Sequence, residues 1–261
     1  MSCLRSVLLA LLALAAIKPT KAEEVFSPGQ KTAIEAIVHD YYLNHPDAFI
    51  EAIQKAQSVA RASGDTSARA TVAKRRNDLI ADTRTPVVGN TVGDVTIVEF
   101  FDYRCPYCKR GHPNILALIK DDPGVRVVYK DLPVLGPDSV FAARAALAAS
   151  RQGGYQRLHD ALLETTGPLT NDAVLALADA AGLNRDRLAQ DMGSPEVEGA
   201  LARNAELANA LGIRGTPSYV VGDTLVPGAI EPAAMRKLIA SRREAVRAEQ
   251  KPTAVSEGMK N

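Results

Sequence analysis

Cys105 and Cys108, separated by Pro106 and Tyr107, are the residues of this sequence best spaced to do chemistry. They follow a nearly unbroken apolar and β-branched run, 95–101, and precede an amphipathic pattern from about Cys108 to Lys120. The first thiol would therefore sit at a helix N-terminus, where unpaired backbone N–H groups and the helix dipole favour thiolate over thiol. A thiolate is the nucleophile of disulfide exchange, and a second cysteine one turn on can resolve the mixed disulfide. Pro106 suits the first helical turn, where its missing N–H costs nothing. Two other uses of the pair stay open. One is a structural disulfide, although closing so short a loop removes little unfolded-state entropy. The other is a metal site including His112, four residues on, for which no fourth ligand is evident.

Glu99 stands inside the apolar run, six residues before Cys105. A carboxylate in a buried strand is costly unless paired or protonated. Its functional reading is a proton acceptor or electrostatic tuner beneath the cysteines. Lys130 is a candidate partner, and the bland alternative is that strand twist lets both reach water. Gly215-Thr216-Pro217 precedes a strand, a good place for a cis peptide bond that would expose the Thr216 backbone to an extended substrate. An ordinary trans turn is the alternative, and the upstream cysteine pair tips the balance towards cis.

These residues need elements to hold them. Val95–Phe101 and Val125–Tyr129 read as strands buried on both faces, and with the helix between them they make a βαβ unit. From Pro137 to Leu211 the chain is Ala- and Leu-rich and helical, broken at glycine-containing pairs, with Thr170, Asn184 and Ser194 as N-caps. Ser218–Val221 and Thr224–Val226 read as short strands around a Gly222-Asp223 turn, and a helix from Pro232 to about Arg247 closes the domain.

Upstream, residues from Lys31 to about Asp82 are helical in pattern. Ile34, Ile37, Val38, Tyr41 and Tyr42 share one face, and Phe49, Ile50, Ile53 and Ala60 continue a second. Breaks are expected at Asn44-His45-Pro46-Asp47, with Asp47 as a cap, and at Ser63-Gly64-Asp65. Lys74-Arg75-Arg76 reads as a solvated face. The segment holds too few large apolar residues for a core of its own, so its stripe needs a cover. Another copy, as a helical oligomerisation arm, and the chain's own domain serve equally well.

The first residues bear on compartment. Arg5, the apolar run Val7 to Ile17 and the small residues Thr20 and Ala22 read as a secretory signal peptide with Glu23 opening the mature chain. The run is well short of the roughly 20 residues a spanning helix needs. Cleavage would remove three of 31 basic residues and none of 30 acidic ones, shifting the formal charge from +1 to −2. It would also remove Cys3, leaving Cys105 and Cys108 as the two cysteines of an oxidising compartment. That charge gives no general reason to bind nucleic acid or an anionic membrane, and no tryptophan is available for stacking.

Glu-Phe-Phe-Asp-Tyr-Arg-Cys-Pro-Tyr-Cys (99–108) and Gly-Ile-Arg-Gly-Thr-Pro (212–217), with helices between them, resemble the thioredoxin superfamily and, within it, the DsbA-like thiol–disulfide oxidoreductases. The N-terminal arm, the Lys-Arg after Cys108 and Asp131-Leu-Pro-Val-Leu-Gly-Pro-Asp-Ser139 are similar to its ScsC (suppressor of copper sensitivity) and Com1-like branch. The resemblance implies an α/β thioredoxin-like fold with a large helical insertion, preceded by an N-terminal helical arm. It implies Cys105 as nucleophile, Cys108 as resolving thiol, Pro217 as the cis-proline and Glu99 as the buried acid. In some members of that branch the arm trimerises the protein, which then isomerises disulfides. Pro106 departs from the glycine of several relatives, and Thr216 resembles isomerases more than the valine of DsbA itself.

The expected organisation is a signal peptide, 1–22; a helical arm and possible oligomerisation segment, 23–84; a DsbA-like domain, 85–247, with its insertion at about 137–211; and a flexible tail, 248–261. The expected function is exchange of disulfides with cysteines of exported proteins in the periplasm, by oxidation, reduction or isomerisation, through Cys105, Cys108, Thr216, Pro217 and Glu99. No cofactor or metal is called for. Expected partners are the protein substrates, a membrane redox partner that resets the cysteines, and further copies in a homotrimer through the arm, with no nucleic acid. The alternative is a periplasmic protein that sequesters Cu(I) on the cysteine pair.

Overall fold

The computed structural model describes residues 26–82 and 84–250. The expected signal peptide and most of the expected tail lie outside the described residues. The chain falls into two compact units, one up to residue 60 and one from residue 61.

In the first unit, helix α1 (Pro28–Asn44) begins with a capping box. The Ser27 hydroxyl accepts from the Gln30 N–H, and the Gln30 side chain accepts in turn from the Ser27 N–H. No residue of α1 is buried. Ile34, Ile37, Val38 and Tyr41 stand exposed at helical spacing, and Ile50 and Ile53 are exposed on helix α2 (Pro46–Lys74). The side chains of Phe49 and Ala60 lie outside the described set. Asp47 is within the first turn of α2 rather than capping it, since the helix already begins at Pro46. The expected break at Ser63-Gly64-Asp65 is also absent, and α2 runs through it. One interior glycine costs about 1 kcal/mol, which the alanines on either side offset once the helix is nucleated.

The second unit is built on a five-stranded sheet. After helix α3 (Arg76–Ile80) come β1 (Val87–Gly89), β2 (Val95–Phe101), helix α4 (Pro106–Asp121) and β3 (Val125–Asp131). Helices α5 (Pro137–Ala149), α6 (Tyr155–Glu164), α7 (Asn171–Ala180), α8 (Arg185–Met192) and α9 (Pro195–Ala210) follow, then β4 (Ser218–Val221), β5 (Thr224–Pro227) and α10 (Pro232–Gln250). The strand order is β1-β3-β2-β4-β5. β2 and β3 are parallel, joined by α4, and the remaining pairings are antiparallel. This is the thioredoxin-like arrangement with a helical insertion that the motifs imply. Thr170, Asn184 and Ser194 cap α7, α8 and α9 as expected. The closing helix extends three residues beyond Arg247.

Both sheet faces are buried, which is why β2 and β3 read as continuous apolar runs. Val95, Ile97, Phe101, Val125, Val127 and Tyr129 pack on one face with the buried residues of α4 to α8. Val98, Phe100 and Val128 pack on the other with Val72, Leu79 and Leu211. Helix α9 serves both, Val197 joining the first cluster and Leu207 the second. Arg243 of α10 grips the loops that enter β2 and β3, its guanidinium donating to Asp94 and Asp122 at 2.7–2.9 Å. Gly124 makes room for this clamp, because a Cβ there would lie 2.5 Å from both the arginine and Asp94.

Candidate active site at the β2–α4 junction

β2 ends at Phe101, and the chain turns through Asp102-Tyr103-Arg104 into α4. Asp102 organises the turn. Its buried carboxylate accepts from the backbone N–H groups of Arg104, Val134 and Leu135 and from the Ser139 hydroxyl, at 2.8–3.0 Å. One side chain thus ties the cysteine turn to the segment that leads into α5.

Cys105 is the N-cap of α4, with Pro106 at its first position. Both cysteines are free thiols and buried. A hydrogen bond from the Cys108 thiol draws the Cys105 pKa down, as do the Thr216 side chain and the N–H groups of Cys108 and Tyr107. Burial opposes them, and the outcome is about 5. Cys108 is pushed far above the usual thiol range by donating that hydrogen bond and by burial, with the charge of Glu99 adding to the effect. The two thiols are therefore unequal: one ionises readily, and the other holds its proton.

Across the site, the Thr216–Pro217 peptide bond is cis. The Cys105 thiol lies 3.2 Å from the Thr216 carbonyl oxygen. The loop is pinned on both sides, since the Pro217 carbonyl accepts from the Gly228 N–H at 2.9 Å and the Ser218 hydroxyl donates to the Gly215 carbonyl at 2.8 Å. Glu99 lies opposite Tyr129 of β3 and Tyr219 of β4. Burial pushes its pKa up to about 8; a hydrogen bond with Tyr219 counters this, and the charge of Cys105 adds to it.

Cys105, Cys108, Thr216 and Glu99 thus converge, with Pro217 beside them. Lys130 does not join them. Successive residues of a strand point to opposite faces, so Lys130 turns away from the side that Tyr129 shares with Glu99. Its ammonium donates to the Asp78 carbonyl and the Thr85 hydroxyl at 2.9 and 3.0 Å. Tyr219 is the polar neighbour of Glu99 instead. Neither it nor Asp102 stood out in the sequence, because each acquires its partner through strand pairing or loop closure.

Tyr107 is exposed between the cysteines, with the Arg110 guanidinium 4.4 Å from its ring centre. Beside it opens a cavity of about 320 Å³ lined by Tyr107, Ile115, Tyr219, Ile230, Pro232 and Met235. Deeper in the first core, Tyr103 and Tyr155 hydroxyls meet His159 Nδ1 at 3.0 and 3.5 Å, and Tyr155 donates to Asp131 at 3.4 Å. Among the described residues, the one cluster of three potential metal ligands is His112, His159 and Asp160, and it includes neither cysteine. His112 therefore belongs to a group other than the one the sequence suggested.

Residues 96–240 match the family model described as DSBA-like thioredoxin domain, and residues 30–62 match the copper resistance protein ScsC N-terminal domain. A thioredoxin-like oxidoreductase from Silicibacter pomeroyi is 46% identical with a TM-score of 0.64, over 65% of this chain and 98% of that one. A linker-deletion mutant of Proteus mirabilis ScsC is 25% identical with a TM-score of 0.63, over 86% of this chain and all of that one. The Na(+)/H(+) antiporter NhaA 3 of Salinispora tropica is 33% identical over 53% of this chain. The match spans only 22% of that relative's length. Among the described residues, no helix is long and apolar enough to cross a membrane.

Proposed function

The chain belongs to the DSBA-like thioredoxin family, and from that premise we propose that it is a disulfide oxidoreductase that exchanges disulfides with exported proteins in the periplasm through Cys105 and Cys108. The carrying observation is the inequality of the two thiols around one pinned loop, an ionised Cys105 and a proton-holding Cys108.

In the reducing direction, the Cys105 thiolate attacks one sulfur of a substrate disulfide, and the other substrate sulfur leaves as a thiolate. Cys108 then gives its proton to the Glu99 carboxylate and attacks Cys105, releasing the second substrate thiol and leaving a Cys105–Cys108 disulfide. Oxidation is the reverse. A substrate thiolate attacks Cys105, Cys108 leaves and recovers its proton from Glu99, and a second substrate thiolate displaces Cys105. If a substrate thiol resolves the mixed disulfide instead, bonds are shuffled with no net electron transfer.

The low Cys105 pKa favours oxidation and isomerisation over reduction, since a stabilised thiolate is a good leaving group and stabilises the dithiol form. The Thr216 carbonyl, beside the cis bond, supports backbone pairing with an extended substrate, and the cavity beside Tyr107 supports apolar side-chain recognition. The exposed apolar stripe of α1 supports assembly of several copies through the arm.

A copper-sequestering role would need both sulfurs as thiolate ligands, with the Cys108 proton displaced as the ion binds. The deciding experiment refolds a reduced, and separately a scrambled, multi-disulfide protein with this chain. Catalysis of either, lost in Cys105→Ser, is expected. Full activity of Cys105→Ser, or inactivity of the wild type alongside stoichiometric Cu(I) binding, overturns the reading.

A further inference from the structure

Between α4 and α6 three buried polar atoms meet without hydrogen-bond partners: His112 Nε2, His159 Nε2 and Asp160 Oδ1. One potential ligand atom from each of the three residues lies within 4.8 Å of the others. His112 Nε2 and Asp160 Oδ1 are 3.3 Å apart, yet neither has a hydrogen-bond partner. Buried polar groups are nearly always satisfied, so three orphans at one place call for a common partner.

We propose that His112 Nε2, His159 Nε2 and Asp160 Oδ1 form a site for one divalent transition-metal ion, of which Zn²⁺ is the representative. Two imidazoles and a carboxylate are a recognised ligand set for such an ion, with one position left for solvent. The geometry fits in two respects. Metal–ligand bonds of about 2.0–2.1 Å in a tetrahedron set the ligands about 3.3 Å apart, the spacing of the His112–Asp160 pair. His159 is also held in the orientation a ligand needs. Its Nδ1 is 3.0 Å from the Tyr103 hydroxyl. With Nδ1–H donating to the Tyr103 hydroxyl, Nε2 keeps its lone pair for an ion. Such an outer hydrogen bond is the usual support of a metal-bound histidine.

The site bridges two elements that share no covalent neighbour, the helix carrying both cysteines and the first long helix after α5. Lys109 already joins them through hydrogen bonds to the Leu162 and Thr165 carbonyls at 3.0 and 2.6 Å. An ion on His112 would fix α4 a turn further along, one turn beyond Cys108.

The test uses the full chain with Cys105→Ser and Cys108→Ser, so that no thiolate competes for the probe, Zn²⁺ alone. Metal content after dialysis is expected to be one Zn²⁺ per chain, with a rise in Tm and slower amide exchange in both α4 and α6. His112→Gln and Asp160→Asn should each lose that equivalent, while His39→Gln/His45→Gln, on the exposed arm, should keep it. Tyr103→Phe should weaken binding about 10–100-fold. The Asp160 side chain is 28% exposed, so Asp160→Asn tests the site with little risk to folding. Failure of the full chain to bind Zn²⁺, or an equivalent retained in both His112→Gln and Asp160→Asn, overturns the proposal.

Discussion

Glu99 and Tyr219 stand opposite each other on antiparallel strands β2 and β4, and their hydrogen bond sets a buried carboxyl within electrostatic reach of Cys108. With a pKa of about 8, Glu99 is mostly protonated at neutral pH and gains its basic form as pH rises. Deprotonation of Cys108 should follow the same curve. In Glu99→Gln the resolving step is expected to slow by about 100-fold, at the low end for loss of a general base, and to lose its rise towards pH 8. Stopped-flow release of substrate from the mixed disulfide measures both.

The same residue predicts a stability effect of opposite sense. A carboxyl whose folded pKa is raised contributes stability fully below its unfolded value of 4.5 and loses that contribution as pH climbs through about 8. Glu99→Gln should therefore be no less stable than wild type at pH 9, and relatively less favoured at pH 5. Urea unfolding of the reduced proteins at the two pH values gives the comparison.

Cys105 supplies the complementary pH signature. Its folded pKa is depressed from 9 to about 5, so the reduced protein gains stability as pH rises between those values and loses it as pH falls through 5. Each unit is worth about 1.4 kcal/mol, and partial solvent screening reduces the total to a few kcal/mol. Alkylation of the reduced protein by iodoacetamide should reach half its plateau rate near pH 5, at Cys105, with Cys108 unmodified throughout. A single titration near pH 9 would contradict this.

Asp102 carries four hydrogen bonds from a buried position. Asp102→Ala leaves the Val134 and Leu135 N–H groups and the Ser139 hydroxyl without an acceptor, at about 1–3 kcal/mol for each group that stays buried. Ser139 is fully buried while Val134 and Leu135 are exposed and can turn their N–H groups to water, so the expected loss in urea unfolding is about 1–3 kcal/mol. Activity per folded molecule should fall as well, because the cysteine turn loses its anchor.

The α1 stripe gives a prediction about assembly. Ile37 is 68% exposed in a single chain, an unusual place for a large apolar residue whose helical neighbours are apolar too. Ile37→Glu should lower the solution mass measured by light scattering while leaving helix content unchanged. A wild-type chain that is already monomeric would remove the case for an assembling arm.

Much of this was legible in the sequence where local pattern and burial agree. β2 was bounded at Val95 and Phe101 because both of its faces are covered, and the caps Thr170, Asn184 and Ser194 announce themselves by residue type and side-chain reach. What escaped depends on pairing across the chain. The side of the sheet taken by Lys130 follows from the β2–β3 register, and the importance of Tyr219 from lying opposite Glu99. Asp102 gains its acceptors' role only when residues 134–139 fold against it. β1, three residues long, is too short to show a period, and Gly64 suggested a break that the flanking helix overrides.

The most direct test of the account is to trap the exchange intermediate. Cys108→Ser is mixed with a peptide disulfide, quenched in acid, and the site of the adduct read by mass spectrometry, with Cys105→Ser in parallel. The account predicts a stable mixed disulfide on Cys105 in the first variant and none in the second. An adduct on Cys108 in the Cys105→Ser protein, formed at the same rate, would contradict it.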